Sequence, residues 1–260
     1  MATVSYKSYL NLEKILAAQN PISPDEHDEM LFIIIHQTYE LWFKQILHEA
    51  CYLRNALVQN DTFRSLATLK RMLKILKTLV GQVDILETMT PISFLSFRHL
   101  LDTASGFQSW QFRCLEALLG IKHKERLRLL PEDSAERKSL EGFIESPSLF
   151  DALLAFLSHS GYAIPADILE RDPSVSYDGD ARVQDIFLSI YKNDEAKALL
   201  CENFIDLDEG IQEWRYRHVK MVERTVGDKS GTGGSLGARY LQSTLAKPVF
   251  IDLWRVRDRL

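Results

Sequence analysis

Seven histidines are spread along the chain, and their spacing limits the metal chemistry it can support. Three positions before each stands Pro24, Ile33, Gln45, Ser96, Gly120, Phe156 or Arg215, so the Glu-x-x-His repeat of a carboxylate-bridged di-iron bundle is missing. No two histidines lie three to five apart, which removes the HExxH zinc pattern. Three scattered cysteines, Cys51, Cys114 and Cys201, form neither CxxC nor CxxCH, so a zinc ribbon, a dithiol redox pair and a covalently attached haem are unsupported. The spacing leaves room for a centre that needs one imidazole, as a b-type haem does. His218 is the candidate ligand: Ile211, Trp214, His218, Met221 or Val222, and Thr225 fall on one helical stripe. The commoner meaning of that pattern is a satisfied, partly buried histidine.

Two dyads share a form, an aromatic ring followed one helical turn later by a polar group: Phe32 with His36, and Phe94 with Arg98. An aromatic wall beside a guanidinium suits an aromatic amino acid, because arginine binds a carboxylate through two parallel hydrogen bonds. Each dyad also has an ordinary reading. His36-Glu40-Lys44-His48 is a polar stripe suited to a solvated face, and Arg98 is compatible with an exposed, snorkelling side chain. The densest glycine cluster, Gly231-Thr232-Gly233-Gly234-Ser235-Leu236-Gly237, lacks the lysine of a P-loop and the preceding strand of a dinucleotide fingerprint or a nucleophile elbow. It reads either as a nest of amides and hydroxyls near a polar ligand group or as a surface connector.

The elements that must position these residues read as helices throughout. Ser23-Pro24-Asp25-Glu26 fits a capping box opening a helix from Ser23 to about Gln59. Asn60-Asp61 marks a stop and a new N-cap, and apolar residues at threes and fours carry a second helix to about Met89. Thr90-Pro91 opens a third, to about Leu101, and Gln108 to Leu119 forms a fourth that ends at Gly120. Residues 121–180 are charged and richer in proline, with a short helix expected from Ser146 to His159 and a loop over Asp172 to Asp180. A long helix from about Asp194 to Val226, a glycine-rich loop and one or two short helices complete an all-α, single-domain reading of residues 1–260, a helical bundle.

Composition adds exclusions. The 260 residues carry a net charge of −5 and 26% charged side chains, values of an ordinary globular chain that can bury a core without staples. A mildly acidic chain lacks the basic footprint of a nucleic-acid binder. The longest apolar runs, Met30 to Ile35 and Ala152 to Leu157, fall far short of the ~20 residues of a membrane span. The N-terminus has no basic segment leading into an apolar one, so a cytoplasmic protein is expected.

Several stretches resemble the tryptophan 2,3-dioxygenase family: His27-Asp28-Glu29-Met30-Leu31-Phe32-Ile33-Ile34-Ile35-His36-Gln37, Glu40-Leu41-Trp42-Phe43-Lys44, Phe97-Arg98, Ala104-Ser105-Gly106-Phe107-Gln108-Ser109, Gln111-Phe112-Arg113, Trp214-Arg215 with His218, and Gly231-Thr232-Gly233-Gly234-Ser235. The resemblance covers roughly the first 120 and last 60 residues, and residues 121–195 supply no matching motif. It implies an all-α bundle enclosing haem b, one per subunit, with His218 as the proximal iron ligand. It further implies His36 as the distal histidine that meets the indole N–H, Phe32 and Phe94 as pocket walls, Arg98 as the carboxylate clamp, Thr232 at the substrate's ammonium and carboxylate end, and Ser105 beside the haem. Tyr6, Tyr9 and Leu10, in segment 1–22, would reach a neighbouring subunit's pocket in a homotetramer. The implied reaction puts both atoms of O₂ across the indole C2=C3 bond of L-tryptophan, giving N-formyl-L-kynurenine. Phe94 stands where some members carry Tyr, and Leu236 replaces a frequent Ser. The alternatives are a haem monooxygenase acting on a tryptophan derivative, and a non-catalytic haem or tryptophan sensor.

Overall fold

The computed structural model describes residues 3–23, 25–227, 229, 241–245 and 247–260, and every regular element among them is helical. Two short helices, α1 (Tyr6–Tyr9) and α2 (Leu12–Leu16), precede the first long one, α3 (His27–Val58). α3 starts three residues later than the capping pattern suggests. Glu26 is its N-cap and makes no side-chain cap, while the Ser23 amide and hydroxyl and the Ile22 amide all donate to Glu29. The acidic residue that secures the entry is therefore Glu29, in the first turn and only 2% exposed, rather than Glu26.

Asn60 adopts φ 57°, and Asp61 then accepts the Arg64 amide to open α4 (Thr62–Leu86), as the Asn-Asp punctuation requires. Thr90 caps α5 (Pro91–Arg98), with Pro91 in the first turn; a 3₁₀ turn over His99–Leu101 follows. Ser109 caps α6 (Trp110–Leu119), which ends on Gly120 at φ 116°. Beyond it come α7 (Ala135–Glu145), α8 (Leu149–His159), α9 (Ala166–Leu169), α10 (Ala181–Asn193) and α11 (Glu195–Val226). The N-cap of α8 is Ser148 rather than Ser146. Ser148 and Asp151 exchange backbone and side-chain hydrogen bonds in a reciprocal box, whereas the Ser146 hydroxyl turns back to the Gly142 carbonyl. α7 and α10 escape the sequence reading, although Ser134 and Asp180 cap them and Val183, Phe187 and Ile190 mark the buried face of α10.

α4 packs along both α3 and α11, and α8 closes the other side of α3. The main core lies among these helices, with Leu53, Leu57, Leu69, Met72, Leu153, Phe156, Phe187 and Phe204 almost wholly buried. Much of residues 149–190 therefore belongs to the main core, and residues 121–195 supply no side chain to the lining of the cavity between α3 and α11. The C-terminal helix Ile251–Arg255 is held by two buried carboxylates. Asp208 of α11 accepts from the Val249 and Phe250 amides and the Trp254 indole at 2.7, 2.9 and 2.9 Å. Asp252 accepts from Tyr177, Asp180 and Gln184. Among the described residues, no helix is long and apolar enough to cross a membrane.

Removing the wholly buried Asp208 carboxylate strands the Val249, Phe250 and Trp254 donors and also frees Gln212 Nε2, which donates to it at 3.0 Å. At roughly 1–3 kcal/mol per unsatisfied buried donor, Asp208→Ala is expected to lower stability by at least ~3 kcal/mol. Urea denaturation of the two proteins measures the difference; an unchanged midpoint would refute the anchoring role.

Candidate active site

A cavity of about 300 Å³, the size class of small-molecule and cofactor sites, is lined by residues of both α3 and α11. α3 contributes Phe32, His36, Tyr39, Glu40 and Phe43 to its lining, a run at threes and fours on one helix face. α5 contributes Phe94 and Arg98, the following segment Ser105, α6 Phe112, Arg113 and Glu116, and α11 Trp214, Arg215 and His218. The proposed solvated stripe on α3 thus divides: His36 and Glu40 face the cavity, while Lys44 and His48 are exposed.

The wall around His36 is aromatic. The Phe32 ring lies 4.1 Å from the imidazole and 5.6 Å from both Phe94 and Phe97, and Phe97 meets each of the other two phenylalanines edge-on. Phe97 is wholly buried behind them, a residue the dyad argument overlooks although it adjoins Arg98. The His36 Nδ1 lies 2.7 Å from the Phe32 carbonyl oxygen. A carbonyl can only accept, so Nδ1 carries the proton and Nε2 keeps its lone pair. The ring opens to the cavity, yet burial by the surrounding protein pushes its pKa down, against the Phe32 carbonyl and the Glu40 carboxylate, which favour the protonated form.

His218 lines the same cavity from α11. Burial, with the neighbouring His36 and Arg113, pushes its pKa down to about 4, so it is a neutral imidazole at pH 7. Its ring stacks on Trp214, which Phe43, Phe112 and Tyr39 enclose. These three rings carry no chemical signature of their own, but Tyr39 and Phe43 continue the helical face that begins with Phe32 and His36.

The charged lining is unbalanced: Arg98, Arg113 and Arg215 against Glu40 and Glu116. Gln111 holds Glu40 through the Glu40 carbonyl and carboxylate, both at 2.9 Å. Glu116 takes Arg113 at 2.6 Å and approaches Arg215 at 3.7 Å. The Arg113 guanidinium lies over Phe107 and Phe112, 5.4 Å from each centroid, and its buried Nε has no acceptor among the described residues. Arg98 is half-buried in the wall, one turn after Phe94. Ser105 lines the cavity and caps the short turn Gly106–Gln108 by accepting the Phe107 amide.

Among the described residues, no three His, Cys, Asp or Glu side chains converge as a metal site. The donor set instead fits a flat, largely apolar group that brings its own equatorial ligands and carries acidic edges: one neutral imidazole, aromatic walls and surplus cationic charge. Tyr6 and Tyr9, 76% and 78% exposed, and Leu10 do not line this cavity. Thr232 and its glycine-rich loop lie outside the described residues.

A family model described as tryptophan 2,3-dioxygenase matches residues 1–141 and 172–260. The chain belongs to the tryptophan 2,3-dioxygenase family. A tryptophan 2,3-dioxygenase of Anaeromyxobacter dehalogenans (strain 2CP-C) is 53% identical over 259 residues, covering all of this chain and 97% of that protein. One from Herpetosiphon aurantiacus is 53% identical over 261 residues, covering 99% of this chain and 98% of its own, and one from Arthrobacter sp. (strain FB24) is 41% identical over 261 residues, covering 99% and 92%. Membership of the tryptophan 2,3-dioxygenase family makes the chain an enzyme of the oxidoreductase class. Residues 142–171, between the two matched stretches, contain α8 and α9 and supply nothing to the cavity lining.

Phe97 supports the Phe32 and Phe94 rings from behind. Phe97→Ala is expected to cost about 3–5 kcal/mol, the range for a fully buried aromatic. Chemical denaturation measures it, and a cost below ~1 kcal/mol would show that the wall stands without this support.

Proposed function

We propose that the chain is a haem-dependent dioxygenase that puts both atoms of O₂ across the indole C2=C3 bond of L-tryptophan, giving N-formyl-L-kynurenine. The observation that carries this reading is one aromatic cavity lined by two imidazoles from different helices, His36 of α3 and His218 of α11, with a guanidinium one turn from Phe94. Whole-length similarity to proteins named tryptophan 2,3-dioxygenase supports the substrate. The reading takes residues 1–260 as one haem-binding domain of a cytoplasmic protein.

His218 would hold the iron of haem b, one per subunit; the neutral ring is the form that ligates. When bound, the haem supplies the ferrous iron at which O₂ is activated. The chain's own residues then bind and orient the substrate. Phe32 and Phe94 stack along the indole. His36 presents the lone pair of Nε2 to the indole N–H, because its Nδ1 proton is committed to the Phe32 carbonyl. Indole N–H is far too weak an acid for an imidazole of pKa below ~6.5 to remove its proton, so His36 orients the ring rather than deprotonating it. Arg98, in the cavity wall, would clamp the substrate carboxylate; the family resemblance assigns Thr232 to the same end of the substrate, and Ser105, also in the lining, to the haem side. The exposed Tyr6, Tyr9 and Leu10 complete the pocket of a neighbouring subunit in a homotetramer, which accounts for large side chains left uncovered on α1.

Turnover of L-tryptophan under ¹⁸O₂, followed by mass spectrometry, decides the reaction: two labelled atoms in the product are expected, and one would make it a monooxygenase. Arg98→Ala is expected to lower kcat/KM for tryptophan at least about 30-fold, mostly through KM, as for loss of a charge-assisted pair worth ~2 kcal/mol or more. The same variant should bind tryptamine, which has no carboxylate, as the parent protein does; unchanged tryptophan kinetics would remove the clamp.

A further inference from the structure

We infer that Trp214 is the positioning residue for the His218 imidazole, setting the plane of the ring by stacking; this rests on the reading of His218 as the haem ligand. The torsion that turns an imidazole about its Cβ–Cγ bond lies in a broad, shallow well, so the backbone of α11 places the ring but does not orient it. A ligating histidine usually gains its orientation from a second hydrogen bond at the nitrogen that does not face the metal. His36 has such a bond, to the Phe32 carbonyl. Among the described residues, none accepts a hydrogen bond from His218. Its ring instead lies parallel to the Trp214 indole, with 9° between the planes and 5.3 Å between the centroids.

The spacing makes this contact a property of the helix. Residues four apart share a face, so Trp214 and His218 stack along α11 in an offset geometry that suits the ring quadrupoles. Trp214 is itself confined by rings from two other helices. Phe43 meets it edge-on at 90° and 5.9 Å, Phe112 lies at 5.0 Å, and Tyr39 lies at 6.4 Å and 61°. Packing holds the indole, and the Tyr39 hydroxyl, which gives its proton to the Leu79 carbonyl at 2.8 Å, stands beside it as an acceptor for the indole N–H. Turning the imidazole means sliding it off an indole that cannot follow. Trp214 thus replaces a directional hydrogen bond with a surface, and it leaves the ligand a neutral imidazole rather than one made more basic by a carboxylate.

The test uses the haem-reconstituted protein and its Trp214→Phe and Trp214→Leu variants. Electron paramagnetic resonance of the ferric cyanide complex reports the imidazole plane, and haemin titration followed at the Soret band reports affinity. The parent and Trp214→Phe, which keeps an aromatic surface, are expected to share one narrow set of g values. Trp214→Leu should broaden and shift them and weaken haemin binding about 10-fold, the low end for losing a partner that orients a ligand. Should Trp214→Leu fail to fold, Phe112→Leu loosens the indole without touching His218 and is expected to broaden the signal in part. Parent-like g values and linewidth in the leucine variant that folds would overturn the inference alone. Haemin binding that survives His218→Ala unchanged would overturn the ligand assignment beneath it.

Discussion

The separation that α4 imposes between α3 and α11 is the constraint on which the site depends. Packed helices approach to roughly 8–10 Å, so a helix lying against both long ones holds part of their length apart. The contact is close because Gly210 of α11 faces Leu76: a Cβ at that position would stand 3.0 Å from Leu76 Cδ1. Polar ties keep the register. Tyr39 reaches the Leu79 carbonyl from α3, while Lys77 pairs with Glu213, and Arg217 with Asp84 and Glu87. Leu86 of α4 itself lines the cavity, and α5, α6 and the segment between them supply further walls. The two imidazoles therefore take their separation from apolar burial of residues such as Leu69, Leu76 and Leu79, each worth ~1.5–3 kcal/mol.

Within that frame the two histidines solve different problems. At His36 the carbonyl four residues back takes the Nδ1 proton and leaves the lone pair on Nε2. His218 must stay uncharged beside a guanidinium, and burial together with that positive charge keeps it so. The surrounding ions are shared: Glu116 serves both Arg113 and Arg215, and burial pulls the Arg215 pKa down while Glu116 and Asp208 hold it up. A cavity built this way is apolar where an aromatic ring would lie and cationic at its edge.

Much of this is legible in the sequence because the signals are local. Helix stops and starts at Asn60-Asp61, Thr90-Pro91, Gly120 and Asp194 follow from capping chemistry, and the Phe32/His36 and Phe94/Arg98 dyads need only helical spacing to share a face. Both dyads have an equally ordinary surface reading, and tertiary packing decides between the two: His36 and Glu40 turn inward because α5 and α6 lie over that end of α3, while Lys44 and His48 on the same stripe stay in water. Competition among caps also escapes a local reading. Ser23 and Ser146 both sit before a proline, yet Glu29 claims the first and Gly142 the second. Phe97 and Phe112 matter through neighbours more than ten residues away on other helices, and spacing along one helix does not reveal such partners.

The Asp208 anchor bears on the order in which the protein can be assembled. Its carboxylate leaves the ribosome 41 residues ahead of the Val249 amide and 46 ahead of the Trp254 indole that it will bind. At roughly 5–20 residues per second, several seconds pass in which α11 exists with a charged group destined for the interior and nothing to match it. During that interval the turn around Asp208 favours water over the core, so the helix that carries His218 docks last at this end. A nascent chain stalled before residue 249 would hold His218 on a helix tied to α4 but lacking its tie to the C-terminal segment.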